Sequence, residues 1–354
     1  MQIFSKTSIC CLTLCACMMI VGCSPKSAKE RLLEASKEVE SSSLTDDADA
    51  KKEAKILKEM AQKIEKISKK KAVTAEDFRK RSKEFSDIGD SENAISDLES
   101  AIRLNPKVGA AYFDLSMLYI EEENFKEAIK YLAKAISLKH NLPEAYLERA
   151  LAYGKLDDFQ KQAEDCTRVI EIDPKSASAY QNRGWAYVEL EENDKAIADS
   201  TKAIELEPNS PWAFNNRGYA YKNKREYKAA ISDFTSAIAL DEEEETFYSN
   251  RAETYVEMQD DLSALKDYDI LIGKSPKDHS YRCAKAVLLI KHRKSDLALA
   301  ELNQAIEKNP GEGAAYLARA PLRLQKGDFK GSTDDMLMGL SLRGFEETSA
   351  LANR

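Results

Sequence analysis

The sequence predicts an all-α chain, most of it one array of eight helical hairpins. Three observations carry that reading. A 34-residue period runs without a gap through residues 75–346. Within the period, small residues recur at two fixed positions, and aromatic residues and proline at two others. Composition agrees: 43% apolar residues supply a core, while 13 glycines and 9 prolines in 354 residues are too few for a loop-dominated chain.

The repeats begin at Ala75, Gly109, Pro143, Ala177, Pro211, Glu245, His279 and Gly313. Position 8 is always small: Ser82, Ser116, Ala150, Gly184, Gly218, Ala252, Ala286 and Ala320. Position 20 is alanine except at Gln162 and Ser332. Position 4 is aromatic in seven repeats, from Phe78 to Tyr316, and position 32 is proline in five: Pro106, Pro174, Pro208, Pro276 and Pro310. Small residues at 8 and 20 let two antiparallel helices approach closely, and aromatics at 4 and 11 fill the space to the next hairpin. Proline cannot continue a helix, so position 32 ends the second helix and sets the turn that follows.

This period and these positions resemble the tetratricopeptide repeat family. The resemblance covers about four-fifths of the chain beyond residue 22. It implies a right-handed superhelical solenoid of eight hairpins that binds a protein or peptide on its concave side and is not an enzyme.

Two features stand out against the repeat. Position 7 is basic in seven repeats (Arg81, Arg149, Arg183, Arg217, Arg251, Lys285, Arg319), and position 23 is acidic in the same seven (Asp97, Asp165, Asp199, Asp233, Asp267, Glu301, Asp335). The one repeat that lacks the base, at Leu115, also lacks the acid, at Tyr131, so the two positions are expected to touch. The second feature follows from the resemblance, in which positions 2, 5, 6, 9, 12 and 13 of the first helix face the groove. Position 6 is asparagine in three consecutive repeats, Asn182, Asn216 and Asn250. Position 9 brings Leu151, Trp185 and Tyr219, and position 2 brings Trp212. An amide ladder of this kind resembles the asparagine ladder of the O-linked sugar transferase's repeat domain, where it implies hydrogen bonds to an extended backbone while aromatics hold side chains. The two-carboxylate clamp of chaperone-binding repeats is not matched, because Gln181 and Trp185 precede Asn216, and Thr246 and Asn250 follow it. Pro321, at position 9 of the last repeat, is expected to kink that helix.

The first 22 residues read as an export signal. Lys6 is the one charge before residue 26, and an apolar run over residues 9–21 follows it. The run Ile20-Val21-Gly22-Cys23 resembles the lipobox of bacterial lipoproteins. That resemblance implies cleavage before Cys23, a diacylglyceryl group on its sulfur, and a chain anchored to the membrane through lipid. Ser24, rather than Asp, implies the periplasmic face of the outer membrane in a Gram-negative cell, or the outer leaflet of the cell membrane otherwise. Residues 23–74 then form a spacer, with helices expected over 28–39 and 51–71, and residues 347–354 a tail. Residues 24–73 hold 13 basic and 10 acidic side chains, against an acidic repeat body. That imbalance suits a spacer lying beside anionic lipid.

Little else suggests chemistry. The formal charge of −8 and a pI near 5.3 argue against a nucleic-acid partner. No nucleotide, hydrolase or metalloprotease motif occurs, and the three histidines, His140, His279 and His292, form no relay. No cofactor, metal or catalytic residue is expected. Once the signal leaves and Cys23 is lipidated, Cys166 and Cys283 remain, too few for a disulfide framework. The expectation is a membrane-tethered scaffold that binds an envelope protein or peptide. The alternatives are a self-assembling structural protein and, with less support, an enzyme acting on envelope glycan.

Overall fold

The computed structural model describes residues 27–42 and 48–352, so Cys23 and the export signal lie outside the described residues. Among the described residues there are eighteen helices and no strand, in two compact units that meet at residues 174 and 175. The first unit contains α1 (Ala28–Ser42), α2 (Ala48–Ser68), α3 (Ala75–Ser86), α4 (Ser91–Leu104), α5 (Gly109–Glu121), α6 (Phe125–Ser137), α7 (Leu142–Lys155) and α8 (Phe159–Ile172). The second contains α9 (Ala177–Glu189), α10 (Asn193–Leu206), α11 (Pro211–Asn223), α12 (Tyr227–Leu240), α13 (Glu245–Glu257), α14 (Asp261–Lys274), α15 (Ser280–Lys291), α16 (Ser295–Lys308), α17 (Gly313–Gln325) and α18 (Phe329–Ala352). From α3 onward each pair of helices is one period of the sequence, folded as a hairpin, and within each unit successive hairpins pack on one another.

The spacer folds as a hairpin of its own. Apolar residues of α2 recur at helical spacing, Ala54, Leu57, Ala61 and Ile64, and all are buried. Leu32 of α1, with Leu57, Ile64 and Ile67, joins one core with Phe85 and Leu98 of the first repeat and Leu115 of the second. Burying each such side chain contributes about 1.5–3 kcal/mol. The segment is therefore docked on the first repeat, with Arg31–Glu92 and Lys70–Glu84 ion pairs at the edges.

Within each hairpin the turn is built the same way. Position 15 has a positive φ in all eight repeats: Gly89, Glu123, Asp157, Glu191, Arg225, Gln259, Arg293 and Gly327. A left-handed residue ends the first helix, and position 16 caps the second. In five repeats that cap is made by a side chain, with Asp90, Asn124, Asp158, Asp260 and Asp328 each accepting a backbone N–H. Between the helices, position 20 alanines are fully buried. A Cβ on Gly218 at position 8 would come within 2.9 Å of the Phe234 ring, which is why the smallest residue sits there.

The charge ladder holds in all seven repeats, and each pair lies within its own hairpin. Arg217 Nε and Nη2 donate to the two oxygens of Asp233, both at 2.8 Å, and Arg183 makes the same fork with Asp199. Arg81, Arg149, Arg251 and Arg319 repeat it, and Lys285 meets Glu301 at 2.6 Å. Each forked guanidinium also lies over the position-4 ring of its own repeat, at 5.6 Å for Arg217 and Phe214. In the second repeat, where base and acid are both missing, Tyr131 stacks on Tyr119 at 5.4 Å and lies 6.5 Å from Tyr112, so rings replace the ion pair.

Two details of the last repeat stand out. α17 stays helical from Gly313 to Gln325 with Pro321 inside it. α18 is 24 residues long and continues past the end of the last period. Met336 and Leu340 of α18 are 50% and 56% exposed. In every earlier repeat the same two register positions are at least partly covered.

Candidate functional site

Six of the seven groove candidates come together in the second unit. Helix α9 supplies Asn182 and Trp185, α11 supplies Trp212, Asn216 and Tyr219, and α13 supplies Asn250. With Gln181, Asn215 and Thr246 they line an open cavity of about 370 Å³. These are positions 2, 5, 6 and 9 of three successive first helices. The 34-residue period therefore delivers the same face of the helix three times, one hairpin apart. Leu151 belongs to α7 in the first unit, where it is partly exposed.

The aromatics are braced from behind. Trp185 and Tyr219 meet edge to face at 6.0 Å and pack on a small core of Val188, Ala196 and Ala220. Lys222 lies over the Tyr219 ring at 5.2 Å and is itself tied to Glu253 at 2.7 Å. Trp212 stands edge-on to the buried ring of Phe247 at 5.0 Å, yet remains 41% exposed. Of the cavity's aromatic side chains, Trp212 offers the most open surface.

The amides differ from the expected free ladder. Asn216 is only 4% exposed, and its Nδ2 donates to the main-chain carbonyl of Gln181, one hairpin earlier, at 3.2 Å. Asn250 Nδ2 donates to Asn215 Oδ1, again one hairpin earlier, at 2.8 Å. Asn182 Nδ2 donates to the Ser178 carbonyl of its own helix at 2.8 Å. The position-6 amides of the fifth and sixth repeats therefore stitch each hairpin to position 5 of the one before. Gln181 Oε1 is also engaged, accepting from Ser210 Oγ at 2.7 Å. What the three asparagines keep is an acceptor, the side-chain carbonyl oxygen, while Gln181 Nε2 and Asn215 Nδ2 keep donors. Sequence reasoning passed over Asn215 and gave Gln181 no groove role, although both sit at a groove position and carry the same amide group.

No side chain lining this cavity is charged. That is unusual in a chain with 32% charged residues. A second cavity, of about 420 Å³ in the first unit, is the opposite: Glu76, Arg79, Lys80, Lys83, Asp114 and Glu121 are among its lining, with Arg79 held by Asp114 at 2.7 Å. No cluster of metal-ligating side chains exists among the described residues. Neither Cys166 nor Cys283 forms a disulfide. Cys166 is buried, and burial pushes the Cys283 thiol up to about 11, which leaves it protonated and unreactive near neutral pH.

Comparison with known proteins places the fold. Models described as a tetratricopeptide repeat match residues 166–198, 213–244 and 283–332, and one described as a TPR repeat matches 184–225. A model of the ETO1 C-terminal domain matches residues 47–180. Among solved structures, a tetratricopeptide repeat protein from Parabacteroides merdae is similar at 20% identity and a TM-score of 0.56, over 71% of this chain and 98% of its own. Pseudomonas aeruginosa pilF is similar at 18% identity and a TM-score of 0.50, over 60% of this chain and 98% of its own. At these identities the likeness concerns the fold alone. A comparison with curated protein sequences gives no match. The unbroken 34-residue register, the hairpin packing and the four repeat models agree: the chain is a tetratricopeptide repeat protein.

Proposed function

We propose that the protein is a membrane-tethered adaptor whose fourth, fifth and sixth repeats hold an extended, uncharged peptide segment of an envelope protein. The uncharged lining of the 370 Å³ cavity carries this reading. A charged peptide would lose its hydration there without finding a counter-charge, which costs several kcal/mol. An extended backbone offers N–H donors to the Asn182, Asn216 and Asn250 oxygens, and carbonyls to the free donors of Gln181 and Asn215. Trp212 supplies an exposed aromatic surface, the kind of residue on which binding energy concentrates.

The tether is proposed at Cys23, with the periplasmic face of the outer membrane as the location that Ser24 favours. Among the described residues no helix is long and apolar enough to cross a membrane, so a lipid on Cys23 would supply the attachment.

The test pairs Trp212→Ala with Asn182→Ala, because neither side chain makes a hydrogen bond to another hairpin and the Phe247 ring behind Trp212 stays buried without it. Capture of the envelope partner is expected to fall at least tenfold while the helical circular-dichroism signal and melting point stay near wild type. Unchanged capture would refute the groove. Intact mass of the membrane-extracted protein tests the tether separately: an unlipidated N-terminus at any other residue would refute it.

A further inference from the structure

The face of α2 turned away from the core is rich in lysine, with Ile56, Glu59 and Gln62 among the lysines. Its opposite face, Ala54, Leu57, Ala61, Ile64 and Ile67, is buried. On the outside, Lys52, Lys55, Lys63 and Lys66 are exposed at helical spacings of three, eight and three residues, so they share one side of the helix. Past its end follow Lys69, paired with Glu65 at 2.9 Å, Lys70, paired with Glu84, and Lys71. Glu59 is the one acid exposed in the stripe, beside Lys55 at 3.9 Å, and Ile56 the one large apolar side chain. The concentration is local, since the chain as a whole carries a net charge of −8.

The placement of this stripe matters as much as its charge. Lys29, in the first turn of α1, pairs with Glu65 of α2 at 2.9 Å. The C-terminal half of α2, with Lys63 and Lys66, therefore lies beside the start of α1. Ala28 is five residues after Cys23, and five residues reach at most about 18 Å.

From this juxtaposition we infer that the lysine face of α2 lies on an anionic phospholipid surface, as a second, electrostatic attachment beside the lipid. The inference uses the tether at Cys23 only to say which surface the stripe meets. The stripe itself stands on the exposed lysines. The two acyl chains of a diacylglyceryl group would already hold the chain at the membrane, so a basic patch beside them sets how the spacer lies on that surface. The acidic repeats are repelled by the same surface, so the contact would hold the spacer flat and leave the repeats projecting toward a partner.

The test uses the chain from Ser24 onward, which keeps every described residue and lacks the lipid site. Cosedimentation is measured with vesicles of phosphatidylcholine containing about one-third phosphatidylglycerol, and with phosphatidylcholine alone, at low and high salt. Binding to the anionic vesicles is expected to be at least tenfold stronger than to neutral ones, to weaken with salt, and to be lost in the Lys52→Glu, Lys55→Glu, Lys63→Glu, Lys66→Glu variant with its helical signal intact. Equal binding to both vesicle types, no binding to either, or full binding by the charge-reversed variant would overturn the inference. So would a preference for duplex nucleic acid over the anionic vesicles. Because this chain carries no lipid site, its result is independent of whether Cys23 is modified, which the intact mass decides.

Discussion

Asn216 carries out two tasks with one amide. Its nitrogen fixes α11 to the Gln181 carbonyl of α9, and its oxygen is left for the cavity. Groove residues in a repeat array are therefore not interchangeable as probes: Trp212 and Asn182 report on binding, whereas Asn216 and Asn250 also report on hairpin stacking. The ladder residues belong to stability alone. Arg217 is forked onto Asp233, and hydrogen bonding to that carboxylate pushes the Arg217 pKa further above its already high ordinary value. Replacing Arg217 with Ala would leave Asp233 buried without its counter-charge. That lies between losing an exposed pair and breaking a buried one, so a loss of about 2 kcal/mol is expected in urea unfolding. Arg217→Lys, which keeps the charge but not the fork or the stacking on Phe214, should recover part of it.

At the scale of the element, the sequence made the hairpins legible but not their turns. Small residues at 8 and 20 and the paired charges at 7 and 23 are regular, because interior packing and a buried ion pair restrict which side chains fit. Position 15 is left-handed in every repeat, yet it is occupied by Glu, Asp, Arg, Gln or Gly, because the backbone demand is met at the surface and modest strain is tolerated there. The same limit hid the inter-hairpin bonds of Asn216 and Asn250, since a repeated amide looks alike whether it faces a neighbour or a ligand. Arg225 has a φ of 60° and is exposed. Arg225→Gly should relieve the left-handed strain and lose some of that gain to a freer unfolded chain, for a net stabilisation of about 0.5 kcal/mol, read as a higher urea midpoint. Between the sixth and seventh hairpins, Asp261 meets Lys291 at 2.6 Å and His292 at 2.8 Å. Hydrogen bonding to Lys291 is the main cause that holds its carboxyl below the usual range, helped by His292 and opposed by burial. A carboxylate whose pKa falls on folding stabilises the fold above its unfolded value and loses that contribution as the pH drops through the folded one. The melting-point gap between wild type and Asp261→Asn should therefore be full near pH 7 and close as the pH falls below about 4.

Across the whole molecule, the proposed roles are divided between the two described units. The first carries the docked spacer with its lysine face and a cavity of mixed charge. The second carries an uncharged cavity edged by tryptophan. The repeat number and the hairpin boundaries were readable from the 34-residue period, and six of the nine cavity residues from the groove positions that the family resemblance supplies. The neutrality of the lining emerged only when Gln181, Asn215 and Thr246 were placed beside them. The central claim is that this cavity is where the partner sits. Site-specific photocrosslinking in intact cells tests it most directly, with the crosslinking residue placed at Trp212 and, as a control, at Leu262 of α14, which is 64% exposed and outside the cavity. The account predicts one dominant adduct from position 212, mapped by mass spectrometry to an uncharged segment of a single envelope protein, and none from position 262. The absence of an adduct at 212, or the same adduct from both positions, would contradict it.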